Sequence, residues 1–197
     1  IDYGMGNLAS VAKALERVGA RSHLTDDPGV VRRAGALVLP GVGAFGEAAR
    51  RLGRDGLGEA VADRIAAGVP FLGICLGLQL LFDGSDEGAG AGLGVFAGRA
   101  VRLPTTQKVP QIGWNELRVR PAGRRLAAGL PAPIHVYFVH SYCVVPADPA
   151  IVAATTDYGG EVVAAVAADN VWAVQFHPEK SSSTGLSMLA AFVGDTA

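Results

Sequence analysis

One stretch constrains this chain more than any other: Pro70-Phe71-Leu72-Gly73-Ile74-Cys75-Leu76-Gly77-Leu78-Gln79-Leu80-Leu81-Phe82. A short apolar run leads through Gly73-x-Cys75-x-Gly77 into a segment with helical patterning. A buried strand that turns sharply into a helix belongs in an α/β architecture. The glycines flank the turn, where side chains would collide, and the turn exposes Cys75 at a helix start. This is a nucleophile elbow with cysteine in the nucleophile's place. The helix N-terminus favours the thiolate. Read alone, Cys75 is more often a buried core thiol; the two glycines and the strand-turn-helix context favour chemistry.

The rest of the first half agrees with βαβ units. Residues 7–18 carry Leu8, Val11, Ala12, Leu15 and Val18 at helical spacing, with Gly19 as a stop. Residues 57–67 are helical in pattern and 76–82 read as a helix start. Residues 1–3, 21–24, 36–39 and 70–74 read as strands. Residues 83–92, rich in Gly, Asp and Ser, read as a loop close to the elbow. The second half is strand-rich, at 99–103, 116–120, 134–145, 151–155, 162–167 and 171–176, with a hairpin signal at Asp169-Asn170. A helix over 185–193 closes the chain. The expected fold is α/β: a mostly parallel central sheet flanked by helices, with additional antiparallel strands in the C-terminal half. All 197 residues are read as one domain. The chain opens at Ile1 rather than a methionine, so the natural protein is expected to begin earlier.

Composition excludes several functions. Seventeen basic and 18 acidic side chains leave no positive excess for a phosphate backbone, so nucleic acid is not an expected partner. No window is apolar for long enough to span a membrane, and no signal peptide is visible. Two cysteines, Cys75 and Cys143, fall short of a disulfide scaffold and fit a reducing cytoplasm. Neither metal nor cofactor is expected.

A thiol nucleophile needs a base and the base needs an orienter. His177 follows the strand Val171-Trp172-Ala173-Val174-Gln175-Phe176, and Glu179 can reach back to its second ring nitrogen across Pro178. The alternative is a surface His-Pro-Glu turn. His140 competes as base, but its position inside a strand suits a structural role. His23 and His135 have no chemistry nearby. Donors for an oxyanion are expected from the amide of Leu76 and from Val42 and Gly43, in the loop after Leu37-Val38-Leu39-Pro40-Gly41.

Together, Gly-Ile-Cys-Leu-Gly-Leu-Gln and Phe-His-Pro-Glu resemble the elbow and base motifs of the class I, triad-type glutamine amidotransferases. More narrowly, Asp2-Tyr3-Gly4-Met5-Gly6-Asn7, Pro40-Gly41-Val42-Gly43-Ala44-Phe45, Gly113-Trp114-Asn115, Tyr137-Phe138-Val139-His140-Ser141-Tyr142 and His177-Pro178-Glu179-Lys180-Ser181 resemble the glutaminase subunits of imidazole glycerol phosphate synthases. The resemblance implies hydrolysis of glutamine through a Cys75 thioester. It implies a heterodimer in which ammonia passes to a cyclase subunit with a (β/α)8 barrel fold, in histidine biosynthesis. It further implies that Gln79 and Glu87 hold the substrate's α-amino end, that Ser141 and Tyr142 hold its carboxylate, and that Gly43 contacts its backbone. Asn7, Trp114, Tyr137 and Lys180 would then face the partner. Gln111 stands where the family usually has histidine, and Cys143 where an aromatic residue is common. Two alternatives remain at this point: a glutaminase subunit of another synthase, such as one for pyridoxal phosphate, and a non-catalytic binding subunit on the same scaffold.

Overall fold

The computed structural model describes residues 1–196. In chain order its principal elements are α1 (Leu8–Arg17), α2 (Pro28–Arg33), β1 (Leu37–Gly41), α3 (Phe45–Leu52), α4 (Leu57–Ala66), β2 (Phe71–Cys75), α5 (Leu76–Gln79), β3 (Phe82–Ser85), β4 (Gly88–Ala91) and β5 (Phe96–Arg102). The second half adds β6 (Gln111–Glu116), β7 (Arg118–Val119), β8 (His135–His140), β9 (Tyr142–Pro146), β10 (Val152–Asp157), β11 (Glu161–Ala168), β12 (Val171–Val174) and α6 (Ser182–Gly194).

The central sheet runs β1-β2-β12-β11-β10-β7. It is mixed: β1, β2 and β12 are parallel, and β12, β11, β10 and β7 continue it in antiparallel pairs. The antiparallel strands of the second half therefore extend the same sheet. β2 and β12 lie at its centre and every residue of both is buried. Their side chains alternate between two cores, as the two-residue period of a strand requires. Phe71, Val171 and Ala173 pack with Phe45, Ala60, Val61 and Ile65 of α3 and α4. Leu72, Ile74, Trp172 and Val174 pack with Val11 and Leu15 of α1 and Met188, Leu189 and Phe192 of α6. Helices on both faces thus bury a strand pair that presents nothing polar to water. Two smaller sheets, β4-β3-β5-β9 and the antiparallel pair β6-β8, flank the C-terminal ends of β1 and β2.

Several expectations are corrected. Residues 1–3 and 21–24 are not strands; the amide of Asp2 donates to Thr25 O at 2.8 Å, just past the second segment, and no ladder forms. The helix after Cys75 lasts only four residues, because Phe82 must enter β3. Residues 83–92 are not an irregular loop. They form most of a β3–β4 hairpin, Gly84 opposite Ala91 and Ser85 opposite Gly88. The hairpin packs closely on α3: a Cβ on Gly90 would come within 3.1 Å of the Ala49 Cβ, and one on Gly46 of α3 within 2.7 Å of Ala89 O. The run 134–145 breaks at Ser141, because β8 pairs with β6 while β9 pairs with β5. No helix among the described residues is long and apolar enough to cross a membrane.

Candidate active site

β2 delivers Cys75 to the edge of the sheet at φ 56° and ψ −107°, a conformation that L residues rarely adopt. Such a position costs on the order of 1–3 kcal/mol and persists only where its surroundings enforce it. They do so here by crowding. A Cβ on Gly73 would lie 2.9 Å from Gly77 O, and one on Gly77 would overlap the carbonyl oxygen of Leu39 on β1. The turn therefore closes against the neighbouring strand only with glycine on either side of the cysteine. Cys75 becomes the residue before α5, and the amide of Leu76 opens that helix.

β12 runs parallel to β2, so the chain leaving it passes the same sheet edge. His177 is fixed there from three sides. Its amide donates to Tyr137 O at 2.9 Å, its carbonyl accepts from Ser181 Oγ at 2.7 Å, and its ring Nδ1 lies 2.8 Å from Glu179 Oε1. The side chains of His177 and Glu179 are 2% and 1% exposed. A buried imidazole beside a buried carboxylate must carry its proton on Nδ1, which frees Nε2. That nitrogen has no conventional hydrogen-bond partner among the described residues, and the group it faces is the Cys75 thiol. Burial opposes the charged ring, but the Cys75 thiol and then the Glu179 carboxylate outweigh it and raise the His177 pKa to about 9. The geometry thus favours an imidazolium next to sulfur at neutral pH, the state that activates a thiol nucleophile.

His140 is set up differently. Its Nδ1 lies 2.8 Å from Tyr142 O and its Nε2 3.0 Å from Gln111 Oε1. Burial, reinforced by the charge on His177, drives it down to about 4, against the Tyr142 carbonyl. Both ring nitrogens are directed at the oxygens of Tyr142 and Gln111, which leaves none for Cys75. Gln111 is accounted for by the same bonds, since it links His140 to Asn115 Oδ1 at 2.9 Å.

Cys75 and His177 line a cleft of ≈ 370 Å³ together with Val42, Gly43, Leu76, Gln79, Glu87, Ser141, Tyr142 and Lys180. Every residue expected to touch substrate is on this list. Gly41 pairs with Cys75 across β1 and β2, so Val42 and Gly43 emerge directly beside the sulfur. Gly43 has φ 103°, and a Cβ there would also meet the methyl group of Met5. Glu87 reaches the cleft from the turn of the β3–β4 hairpin, where Oε2 accepts from the amide of Phe45 at 2.8 Å. It supplies the cap that Ala44 cannot give α3. Gln79 donates Nε2 to Tyr142 O and to Gln175 Oε1, both at 3.1 Å. Its own oxygen accepts no bond from the described residues.

The four residues expected at a partner face lie at the start of α1, on β6, on β8 and in the turn after His177. Lys180 is exposed at the cleft. Trp114 and Tyr137 meet edge to face at 6.0 Å on the outer side of β6–β8. Trp114 is 51% exposed there, beside an exposed Ile112. Asn7 is half-buried at the start of α1, with no side-chain cap bond.

Sequence reasoning missed Gln175. It is fully buried, and its Nε2 lies 3.6 Å from Cys75 Sγ. The signal was a polar residue at the end of a wholly apolar strand, two positions before the base. A larger recess, ≈ 410 Å³, lies between α1, α2, β1 and α6, but no cysteine or carboxylate lines it. No group of His, Cys, Asp and Glu among the described residues has the arrangement of a metal site.

Comparison with known proteins gives the family. Residues 1–195 match the family model "Glutamine amidotransferase class-I". The chain is 51% identical over 195 residues to imidazole glycerol phosphate synthase subunit HisH of Rhodopirellula baltica, covering 98% of this chain and 94% of that one. It is 52% identical over 196 residues to the HisH subunit of Thermosynechococcus vestitus, with the same coverage. Among solved structures, a glutamine amidotransferase superposes with TM-score 0.75 at 20% identity, covering 96% of this chain and 95% of that one. The structure of PurLQS from Thermotoga maritima gives 0.74 at 19% identity, covering 99% and 96%. At those identities the structural likeness speaks for the fold; the family follows from the sequence matches, and the chain belongs to the class-I glutamine amidotransferases.

Proposed function

We propose that this chain is the glutaminase subunit of an imidazole glycerol phosphate synthase, working in histidine biosynthesis. The observation that carries the reading is a free thiol on a strained elbow, facing an imidazole that a buried carboxylate holds at 2.8 Å. Identity of about half over 98% of the chain to HisH subunits supplies the specific assignment.

The side-chain amide of glutamine enters the cleft, and the Cys75 sulfur attacks its carbon. The proton from the thiol resides on His177 Nε2, and Glu179 keeps the opposite nitrogen protonated. As negative charge grows on the amide oxygen, the amides of Leu76 and of Val42 or Gly43 donate to it. The intermediate collapses when His177 gives its proton to the leaving nitrogen, releasing ammonia and leaving a thioester. Water, deprotonated by His177, then attacks the thioester. Glutamate leaves and the thiol is restored. Gln79 offers its carbonyl oxygen and Glu87 its carboxylate to the substrate's ammonium, Ser141 and Tyr142 hold its carboxylate, and Gly43 lies along its backbone. A reducing compartment such as the cytoplasm suits a site that depends on a thiol.

Ammonia is delivered to a cyclase subunit with a (β/α)8 barrel. Asn7, Trp114, Tyr137 and Lys180 form the contact, with the exposed Trp114, edge to face with Tyr137, as its aromatic anchor. The test is to co-express the chain with a barrel cyclase, isolate the complex, and measure glutamate release for the parent and for Cys75→Ala. The parent is expected to turn over in the complex and the variant to be inactive. Equal release from both ends the reading, as does failure of the cyclase to co-purify.

A further inference from the structure

We infer that Gln175 is a third partner of the nucleophile, whose side-chain N–H holds the Cys75 sulfur as a thiolate and sets its direction. The inference rests on the reading of Cys75 as the nucleophile.

The orientation of this buried amide is fixed by its neighbours. The carbonyl of Tyr142 can only accept, so Gln79 must turn its NH2 group toward it. The second N–H of Gln79 then falls to Gln175 Oε1 at 3.1 Å. With its oxygen taken, Gln175 must present Nε2 to Sγ at 3.6 Å, within range for a sulfur acceptor. A backbone carbonyl thereby dictates, through two amides, that the sulfur receives a donor. A donor favours the charged form of its acceptor.

Position argues against a packing role. Gln175 has no exposed surface and lies outside the lining of the cleft, so it meets the sulfur from behind and leaves the opposite side open to substrate. An apolar residue would fill that volume without leaving a buried amide to satisfy. The other titratable groups around the sulfur are His177 with Glu179 behind it, His140 on β8, the buried Tyr3 hydroxyl near Gly41, and Glu87, Tyr142 and Lys180 along the cleft. Among these polar neighbours, the amide of Gln175 donates to the sulfur without itself titrating.

The test is the pH dependence of Cys75 alkylation by iodoacetamide in the full chain, read by mass spectrometry, for the parent, Gln175→Leu and Gln175→Glu. Gln175→Leu removes the donor. Gln175→Glu keeps an oxygen for Gln79 but turns an acceptor toward the sulfur, and it carries the test if the leucine variant does not fold. Both variants are expected to move the alkylation profile up by about one to two pH units. The acid limb of the glutaminase pH–rate profile should move with it. Profiles that superpose on the parent's overturn the inference. If Cys75→Ala still abolishes turnover in that case, the glutaminase reading stands and only the role of Gln175 falls.

Discussion

Glu179→Gln removes one charge from a site where solvent cannot compensate. The carboxylate and its imidazole are 1% and 2% exposed and 2.8 Å apart, so surface screening does not dilute their interaction. A hydrogen bond to a charged partner in such a place contributes about 1.5–3 kcal/mol, which corresponds to a loss of roughly ten- to a hundred-fold in turnover. A second consequence concerns pH and stability. His177 is raised from 6.5 to about 9 by Cys75 and Glu179 acting against burial. The folded state therefore holds the proton more tightly than the unfolded state. This stabilisation is fully present below about pH 6.5 and is lost as pH rises through about 9, an effect on the order of 3 kcal/mol for the pair of partners together. Denaturant midpoints of the parent should fall across that window, and those of Glu179→Gln should fall less. Glutaminase assays in the complex and urea titrations at pH 6, 7.5 and 9 read both effects. Turnover within about three-fold of the parent, together with an unaltered pH dependence of stability, would refute the role given to Glu179.

Other outcomes follow from the same geometry. His177→Ala should abolish glutamate release while His140→Ala retains much of it, because His140 spends both nitrogens on Tyr142 and Gln111; the reverse result would exchange the two roles. A glutamine analogue with an electrophilic carbon should label Cys75 and spare Cys143, which burial pushes up to about 11; peptide mapping that finds the label on Cys143 would show that the cleft does not select the thiol. Gly77→Ala forces a Cβ onto the Leu39 carbonyl and should destabilise the fold by about 1–3 kcal/mol, lowering Tm by about 2–4 °C per kcal/mol in a domain of this size. An unchanged melting curve would mean the elbow is not closed against β1.

Much of this was legible in the chain because it depends on short-range chemistry. The elbow could be read from Gly73, Cys75 and Gly77, since steric exclusion at a tight turn acts over a few residues. The buried strands β2 and β12 could be read because a run with no polar side is stable only between two covered faces. Glu179 is two residues from His177, so their pairing needs only a local bend. The hairpin over residues 82–91 was not legible, because Gly88 and Gly90 face Gly46 and Ala49 of α3, about 40 positions away along the chain. The break of residues 134–145 at Ser141 was hidden for the same reason, as the two halves pair with strands from different parts of the chain.

The sequence alone determined the kinds of group available: one thiol on a forced turn, one imidazole with a carboxylate in reach, and apolar strands enough to bury them. Tertiary structure decided which groups meet. Parallel pairing of β2 with β12 brought Cys75 to His177, the β3–β4 hairpin carried Glu87 to the first turn of α3, and the carbonyl of Tyr142 set the direction of Gln79 and, through it, of Gln175. Hydrogen bonds act over about 3 Å whatever the separation along the chain, so contacts between distant segments are fixed by how the sheets are assembled.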